Sequence, residues 1–171
     1  LGNGSNDVLD LITRVVMEPG FEAIIPEHSF VVYKLSVTCA NGEIVVAPAA
    51  SGFGADLEAV RDRISSKTRL IFIANPNNPT GTWVGLEEIE KLLLALPKSV
   101  WVVIDEAYFE YLDHPQYGSA LRLMERFENL IITRTFSKIY GLASLRLGYG
   151  VTSSRFADLL NRARQPFNVG G

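Results

Sequence analysis

Side chains that could do chemistry follow three apolar segments of the sequence. Asn78 comes after the first segment, and Asp105 and Tyr108 come after the second. Ser137 and Lys138 come after the third. Taken singly, such residues are often turn formers, helix caps or solvated charges. Brought together, a lysine amine beside an aspartate and a phenol could carry out covalent and acid–base chemistry on a carbonyl compound.

The spacing of apolar residues predicts strands that alternate with helices. The predicted strands lie at 22–25, 43–47, 69–74, 100–104, 130–132 and 147–151. The predicted helices lie at 6–17 and 29–40, after Asp56, over Leu86 to Leu96, around Leu121 and Met124, and with Phe156, Leu159, Leu160 and Ala163 facing inward. Strands that are apolar on both faces and alternate with helices are typical of a mostly parallel sheet with helices on both faces, an α/β fold.

The predicted sheet gives the polar residues a common location. In open α/β sheets, ligands bind in a crevice beyond the carboxyl ends of the strands. We therefore expect the polar residues that follow the three central strands to reach one crevice, and their joint occurrence there is hard to explain by chance. These residues are Asn75, Asn77, Asn78, Asp105, Tyr108, Thr135, Ser137 and Lys138.

A site of this composition suits pyridoxal 5'-phosphate (PLP). A lysine amine can form a Schiff base with the aldehyde of PLP, and an aspartate beside the ring nitrogen keeps that nitrogen protonated, so that the ring accepts electrons. A phenol and an amide can donate hydrogen bonds to the 3-oxygen. Hydroxyls, an arginine and a helix N-terminus can bind the phosphate. The residues thus lead to PLP as the hypothesis for the cofactor.

Three motifs resemble those of the fold-type I PLP-dependent enzymes, the aminotransferases of class I and II. They are NPTG at 78–81, DEAY at 105–108, and SK at 137–138 with an arginine eight residues after the lysine. The order and the spacing both match. The resemblance implies the large-domain fold of those enzymes, an aminotransferase activity, small-molecule substrates (an amino donor and a 2-oxo acid) and a homodimer.

The resemblance also implies a role for each matching residue. Lys138 would hold the cofactor and move a proton, and Asp105 would pair with the ring nitrogen. Tyr108 and Asn78 would donate to the 3-oxygen, and Tyr108 joins Lys138 and Asp105 as a catalytic residue. The other cofactor-binding residues would stack on the ring or bind the phosphate: Phe30 for the ring, and Gly4, Ser5, Asn6, Thr135, Ser137 and Arg146 for the phosphate.

Five longer stretches resemble one branch of this family, which transaminates a phosphorylated amino alcohol in amino-acid biosynthesis. They lie at 1–11, 73–83, 104–112, 134–149 and 161–169. A related phosphate-substrate decarboxylase and the aromatic aminotransferases share the motifs, so both stay open as alternatives. A PLP-binding regulatory domain fused to a DNA-binding module is a third alternative.

The two ends of the sequence indicate that the chain is a piece of a longer protein. The chain starts at Leu1 without a methionine and stops at Gly171, shortly after a predicted helix. We expect residues 1–171 to be the cofactor-binding large domain of such a protein, with an N-terminal arm and a C-terminal small domain missing.

The composition argues against several other kinds of protein. The formal net charge is -3 with no basic block, which gives no electrostatic case for nucleic acid or for an anionic membrane surface. No apolar run approaches the roughly 20 residues of a membrane span. The lone Cys39 favours a reducing, cytoplasmic location. His28 and His114 lack the spacing of metal ligands, so we expect no metal.

Overall fold

The computed structural model describes residues 1–170, and its central feature is a seven-stranded sheet. The strand order is β1-β7-β6-β5-β4-β2-β3. The strands from β3 to β6 along this order run parallel, and β7 and β1 pair antiparallel at the other edge. The strands are β1 (Gly2–Asn3), β2 (Glu22–Pro26), β3 (Glu43–Ala47), β4 (Thr68–Ala74), β5 (Trp101–Asp105), β6 (Leu130–Thr135) and β7 (Leu147–Val151).

Five α-helices connect or flank the strands. They are α1 (Gly4–Val16), α2 (Val31–Cys39), α3 (Leu57–Arg61), α4 (Leu86–Ala95) and α5 (Ser154–Ala163). The predicted cap of α3 is confirmed, because Asp56 Oδ1 accepts a hydrogen bond from the Ala59 N–H over 2.9 Å. In α4 the Glu88 side chain accepts the N–H of Gly85, which closes the first turn over 2.8 Å.

Two hydrophobic cores lie on opposite faces of the sheet. Alternate residues of one strand belong to different cores: Ile71 and Ile73 pack with α3 and α4, whereas Leu70 and Phe72 pack with α1, α2 and α5. This follows from the two-residue period of a strand, whose successive side chains point to opposite faces. The prediction of a mostly parallel sheet with helices on both faces is therefore confirmed.

Two predicted details are wrong. The helix expected around Leu121 and Met124 is a single 3-10 turn, Ala120–Leu123. In α5 only Phe156 is fully buried, against Trp101 with ring centres 4.0 Å apart, whereas Leu159 is 38% exposed and Ala163 is exposed too. Helix α5 meets the core mainly through Phe156, with Leu160 partly buried beside it.

The boundaries of the predicted domain can be compared with the structure only over residues 1–170, because Gly171 lies outside the described residues. Within that range, no helix has the length and the apolar character needed to cross a membrane. The same residues contain no group of three or more His, Cys, Asp or Glu side chains arranged to hold a metal ion.

Candidate active site

A cleft of about 570 Å³, which includes the solvent at its mouth, opens beyond the carboxyl ends of β4, β5 and β6. Every residue that the resemblance assigned to catalysis or cofactor binding lines it, apart from Gly4. The lining residues are Ser5, Asn6, Phe30, Tyr33, Ala74, Pro76, Asn78, Asp105, Ala107, Tyr108, Thr135, Ser137, Lys138 and Arg146. The sheet thus brings together residues from five separate parts of the chain.

Two of the expected crevice residues do something else. The amide of Asn75 pairs with the backbone of Val84, donating to its carbonyl over 3.1 Å and accepting its N–H over 3.0 Å. The amide of Asn77 donates to the His28 carbonyl over 2.6 Å. Both side chains therefore hold the loop after β4 in place, and Asn78 is the asparagine that reaches the cleft.

Asp105, the last residue of β5, is 5% exposed. Its two carboxylate oxygens have separate donors: the Tyr33 hydroxyl lies 2.8 Å from Oδ2, and the Thr133 hydroxyl lies 2.9 Å from Oδ1. Burial raises the pKa of the Asp105 carboxyl above its ordinary value, while these hydrogen bonds, the backbone of Ala107 and the charge of Lys138 act in the opposite direction. The cleft therefore holds a buried carboxylate that its neighbours help to keep charged.

Lys138 lies on the turn that follows β6, with Nζ 5.0 Å from the centre of the Tyr108 ring. The aromatic face attracts the positive charge of the ammonium group. The turn is held by Thr135, whose Oγ1 accepts the Ser137 N–H over 3.1 Å. Because of this turn, the lysine amine points across the cleft that Asp105 and Tyr108 also line.

Arg146 and the start of α1 form a second, cationic part of the cleft. The guanidinium of Arg146 donates to Ser137 Oγ over 3.2 Å and to the Ala143 carbonyl over 3.0 Å. Its backbone has φ 49°, a left-handed conformation that few residues other than glycine adopt. The conformation turns the side chain back toward the first turn of α1.

Two glycines allow this close approach. A Cβ on Gly4 would overlap the guanidinium of Arg146, and a Cβ on Gly148 in β7 would overlap the backbone of Ser5. Gly4 therefore lies behind Arg146 and leaves the lining of the cleft to Ser5 and Asn6. These three residues begin α1, and Asn3 before them makes no side-chain capping hydrogen bond to the rest of residues 1–170.

The first turn of α1 consequently presents backbone N–H groups and the positive end of a helix dipole. Together with Arg146 and the hydroxyls of Ser137 and Thr135, these groups make a donor set that suits a phosphate. The aromatic side chain of Phe30 and the buried carboxylate of Asp105 suit a protonated aromatic ring. Together with the Lys138 amine, these groups fit a phosphorylated pyridine ring that carries an amine-reactive group.

The sequence did not reveal the role of Tyr33. Its hydroxyl is a direct partner of Asp105, and its ring lies edge-on to Phe30 with centres 5.7 Å apart. The available signal was a tyrosine three residues after Phe30, at a position that faces the core in an apolar helix.

Glu106 was also missed. It is 1% exposed and pairs with Arg134, whose Nη2 lies 2.7 Å from Oε2. Ser119 Oγ and the Ala120 N–H donate to the same carboxylate over 2.8 Å each. Burial raises the pKa of Glu106, and the hydrogen bonds from Arg134 and Ser119 oppose the rise. This cluster anchors the loop that carries Tyr108.

The sheet order and the cleft define the class of protein: the fold is that of the fold-type I PLP-dependent transferases. The chain belongs to the aminotransferase class I and II family, whose sequence profile matches residues 1–170. This confirms the family that the three motifs predicted.

Curated proteins from one branch of this family are similar to the chain over nearly its whole length. Histidinol-phosphate aminotransferase 1 of Nitrosococcus oceani is 53% identical over 169 residues, which is 99% of this chain and 45% of that protein. Histidinol-phosphate aminotransferase 2 of Methylococcus capsulatus is 53% identical and covers 99% of this chain and 47% of its own length. The chain thus spans about half the length of these relatives, and its closer resemblance to their branch is confirmed.

Solved structures agree with the fold. The histidinol-phosphate aminotransferase of Sinorhizobium meliloti, in complex with pyridoxal-5'-phosphate, has a TM-score of 0.88 and 30% identity over 95% of this chain and 44% of its own. The aromatic aminotransferase of Pyrococcus horikoshii OT3 has a TM-score of 0.85 and 25% identity over 94% of this chain and 44% of its own.

Proposed function

We propose that the chain is the cofactor-binding part of a PLP-dependent histidinol-phosphate aminotransferase. The reaction converts L-histidinol phosphate and 2-oxoglutarate to imidazole-acetol phosphate and L-glutamate, a step of histidine biosynthesis. One observation carries the choice of substrate: eight curated proteins with this name are 48% to 53% identical to the chain over 98% to 99% of its length.

The donor set of the cleft supports PLP as the cofactor. When bound, PLP supplies an electron sink that lets a proton leave the substrate carbon. The backbone N–H groups of Ser5 and Asn6 and the side chains of Arg146, Ser137 and Thr135 would bind its phosphate. Phe30 would stack on its ring, and Asn78 and Tyr108 would donate to its 3-oxygen.

Lys138 would have two tasks. Its Nζ would hold the cofactor covalently, and after release it would take the proton from the substrate carbon and return it at the neighbouring carbon. The ring of Tyr108, with its centre 5.0 Å from Nζ, would restrict where the amine can go. These positions support Lys138 and Tyr108 as catalytic residues beside Asp105.

Asp105 would pair with the ring nitrogen and keep it protonated. The carboxylate must be charged for this task, and burial works against that charge. The hydroxyls of Tyr33 and Thr133 compensate, because a hydrogen bond to a carboxylate stabilises the ionised form.

We further propose that residues 1–171 form the large domain of a cytoplasmic homodimer, whose N-terminal arm and C-terminal small domain lie in the rest of the protein. The relatives are about twice as long as this chain, which supports the presence of these two further segments. Exposed apolar side chains that a partner or a second domain could cover support the dimer: Val31, Leu35, Ile139, Leu142 and Leu145. The single cysteine, Cys39, is compatible with a reducing compartment.

The test is a comparison of amino donors with the full-length protein that contains this chain. Purified protein with PLP and 2-oxoglutarate receives either histidinol phosphate or phenylalanine, and glutamate formation is followed. A parallel reaction with threonine phosphate measures release of carbon dioxide. We expect kcat/KM to be at least tenfold higher with histidinol phosphate. A preference for phenylalanine, or decarboxylation of threonine phosphate, would overturn the proposed substrate.

A further inference from the structure

Tyr33 has a fully buried side chain between α2 and the sheet. Its ring stacks on Phe72, with ring centres 4.7 Å apart and planes 3° apart. Its edge meets Phe30, and its hydroxyl donates to Asp105 Oδ2 over 2.8 Å. One side chain therefore joins the core to two groups that line the cleft.

The stacking on Phe72 leaves the Tyr33 hydroxyl little freedom to move. Interiors are close-packed, so a ring held between a strand and a helix keeps one orientation. Thr133, on the neighbouring strand β6, donates to the other oxygen of Asp105 over 2.9 Å. Two fixed donors on separate oxygens determine the plane of the carboxylate.

We propose that Tyr33 is a positioning residue for Asp105, which it holds in a fixed orientation at the floor of the cleft. The inference rests on the proposed function, because the orientation matters only if Asp105 meets the ring nitrogen of PLP. The same ring would steady Phe30, so that the stacking group and the carboxylate are placed relative to each other by one residue.

Tyr33 is suited to act as a donor over the working pH range. Burial, followed by the charge of Asp105, raises the pKa of the Tyr33 phenol well above its ordinary value, so the hydroxyl keeps its proton. The charge of Lys138, on the turn after β6, lowers the pKa of Asp105. The charge of Tyr108 raises the pKa of Tyr33. Thr133, which completes the surroundings, does not titrate.

The first experiment measures PLP affinity in the full-length apoprotein. Tyr33→Phe removes the hydroxyl and keeps the ring, and Tyr117→Phe is its matched control. The Tyr117 hydroxyl also donates one hydrogen bond, to the Asn75 carbonyl over 2.8 Å, but Tyr117 does not line the cleft. We expect Tyr33→Phe to raise the dissociation constant of PLP about tenfold, since hydrogen bonds to charged groups are among the strong ones. Tyr117→Phe should leave it within twofold.

A second experiment tests whether the Tyr33 hydroxyl acts through the Asp105 carboxylate. The substitution Asp105→Asn is combined with Tyr33→Phe, and PLP affinity is measured for both single variants and for the double variant. If the hydroxyl acts through the carboxylate, Tyr33→Phe raises the dissociation constant of PLP less than threefold in the Asp105→Asn background. If the hydroxyl acts independently of the carboxylate, the two losses multiply, and that result would overturn the inference.

A third readout needs no cofactor. Carbon-13 NMR of carboxyl-labelled aspartate follows the ionisation of Asp105 in the apoprotein, with its signal identified by its loss in Asp105→Asn. The Tyr33 hydrogen bond lowers the pKa of Asp105, so Tyr33→Phe should raise that pKa and Tyr117→Phe should not. An unchanged Asp105 titration, together with wild-type PLP affinity in Tyr33→Phe, would overturn the inference about Tyr33 and leave the proposed function intact. A wild-type protein that binds no PLP would overturn the proposed function as well.

Discussion

The N–H of Gly4 donates to the carbonyl of Arg146 over 2.8 Å and so joins the first turn of α1 to the turn before β7. The contact brings the two halves of the cationic part of the cleft together. Glycine suits position 4 because the backbone there has φ +77°, which L side chains rarely adopt, and because a Cβ would also displace the Arg146 guanidinium. The geometry of the proposed phosphate site therefore depends on backbone packing as much as on charged groups.

Lys138→Ala in the full-length protein should lower turnover by several orders of magnitude, because covalent attachment and proton transfer are lost together. Borohydride reduction should then no longer fix PLP to the protein, as peptide mass spectrometry would show. Lys98→Ala is the control, since Lys98 is an exposed lysine at the opposite, amino-terminal edge of β5. Continued labelling of a lysine peptide in the Lys138→Ala protein would contradict the assignment.

Asp105→Asn should make the apoprotein more stable at neutral pH, by about 1 kcal/mol, while it weakens PLP binding, the usual conflict at a functional site. Burial raises the pKa of Asp105 in the folded state, so the folded protein holds this proton to a higher pH than the unfolded chain does. The stability that the protonated carboxyl contributes is present below the ordinary pKa of aspartate. It is lost as the pH rises through the higher pKa of the folded state.

Urea unfolding of wild-type apoprotein and of Asp105→Asn from pH 4 to pH 8 tests that sign. The gap between their free energies of unfolding should widen with rising pH and then level off. Asp158→Asn, at an exposed aspartate of α5, should show no such trend. A gap that narrows with rising pH would show that the partners of Asp105 outweigh its burial.

Gly148→Ala should disrupt the start of α1, because the added methyl group overlaps the backbone of Ser5, which cannot yield as a flexible side chain would. We expect a loss of about 2 kcal/mol in stability, in the range of overpacked sites, and weaker PLP binding. Gly150→Ala on the same strand is the control, since its Cβ would meet the Val8 side chain at 3.0 Å and the Ile132 carbonyl at an ordinary contact distance of 3.7 Å. Thermal unfolding and PLP titration of both variants provide the measurement; equal effects would argue against a special role for the Ser5 contact.

Arg134→Met should lower the free energy of unfolding by about 3 kcal/mol, because it leaves the buried carboxylate of Glu106 without its charged partner. Adding Glu106→Gln should recover part of that loss, as chemical denaturation of the single and double variants would show. Arg126→Met removes an exposed ion pair with Glu90 and should cost under about 1 kcal/mol. Similar losses in Arg134→Met and Arg126→Met would mean that the Glu106 cluster contributes little.

Much of this fold was predictable because its signals are local. Apolar runs followed by turn residues mark where β4, β5 and β6 end, and parallel pairing then places Asn78, Asp105 and Lys138 at one edge of the sheet. Boundaries of the strands agreed within a few residues. The prediction of a helix near Leu121 was wrong because its local signal was weak. Two apolar residues are too few to distinguish a 3-10 turn from an α-helix.

By itself, then, the sequence determined the class of fold, the family and most of the polar residues that line the cleft, since motifs and apolar periodicity are properties of short segments. Only the tertiary structure decided which side chain supports which. Tyr33 and Asp105 are 72 residues apart, and their hydrogen bond depends on how α2 is rotated against the sheet and how far β5 extends. The same holds for Glu106 with Arg134 and for Gly4 with Arg146, because close packing between distant elements sets these distances and no local pattern encodes them.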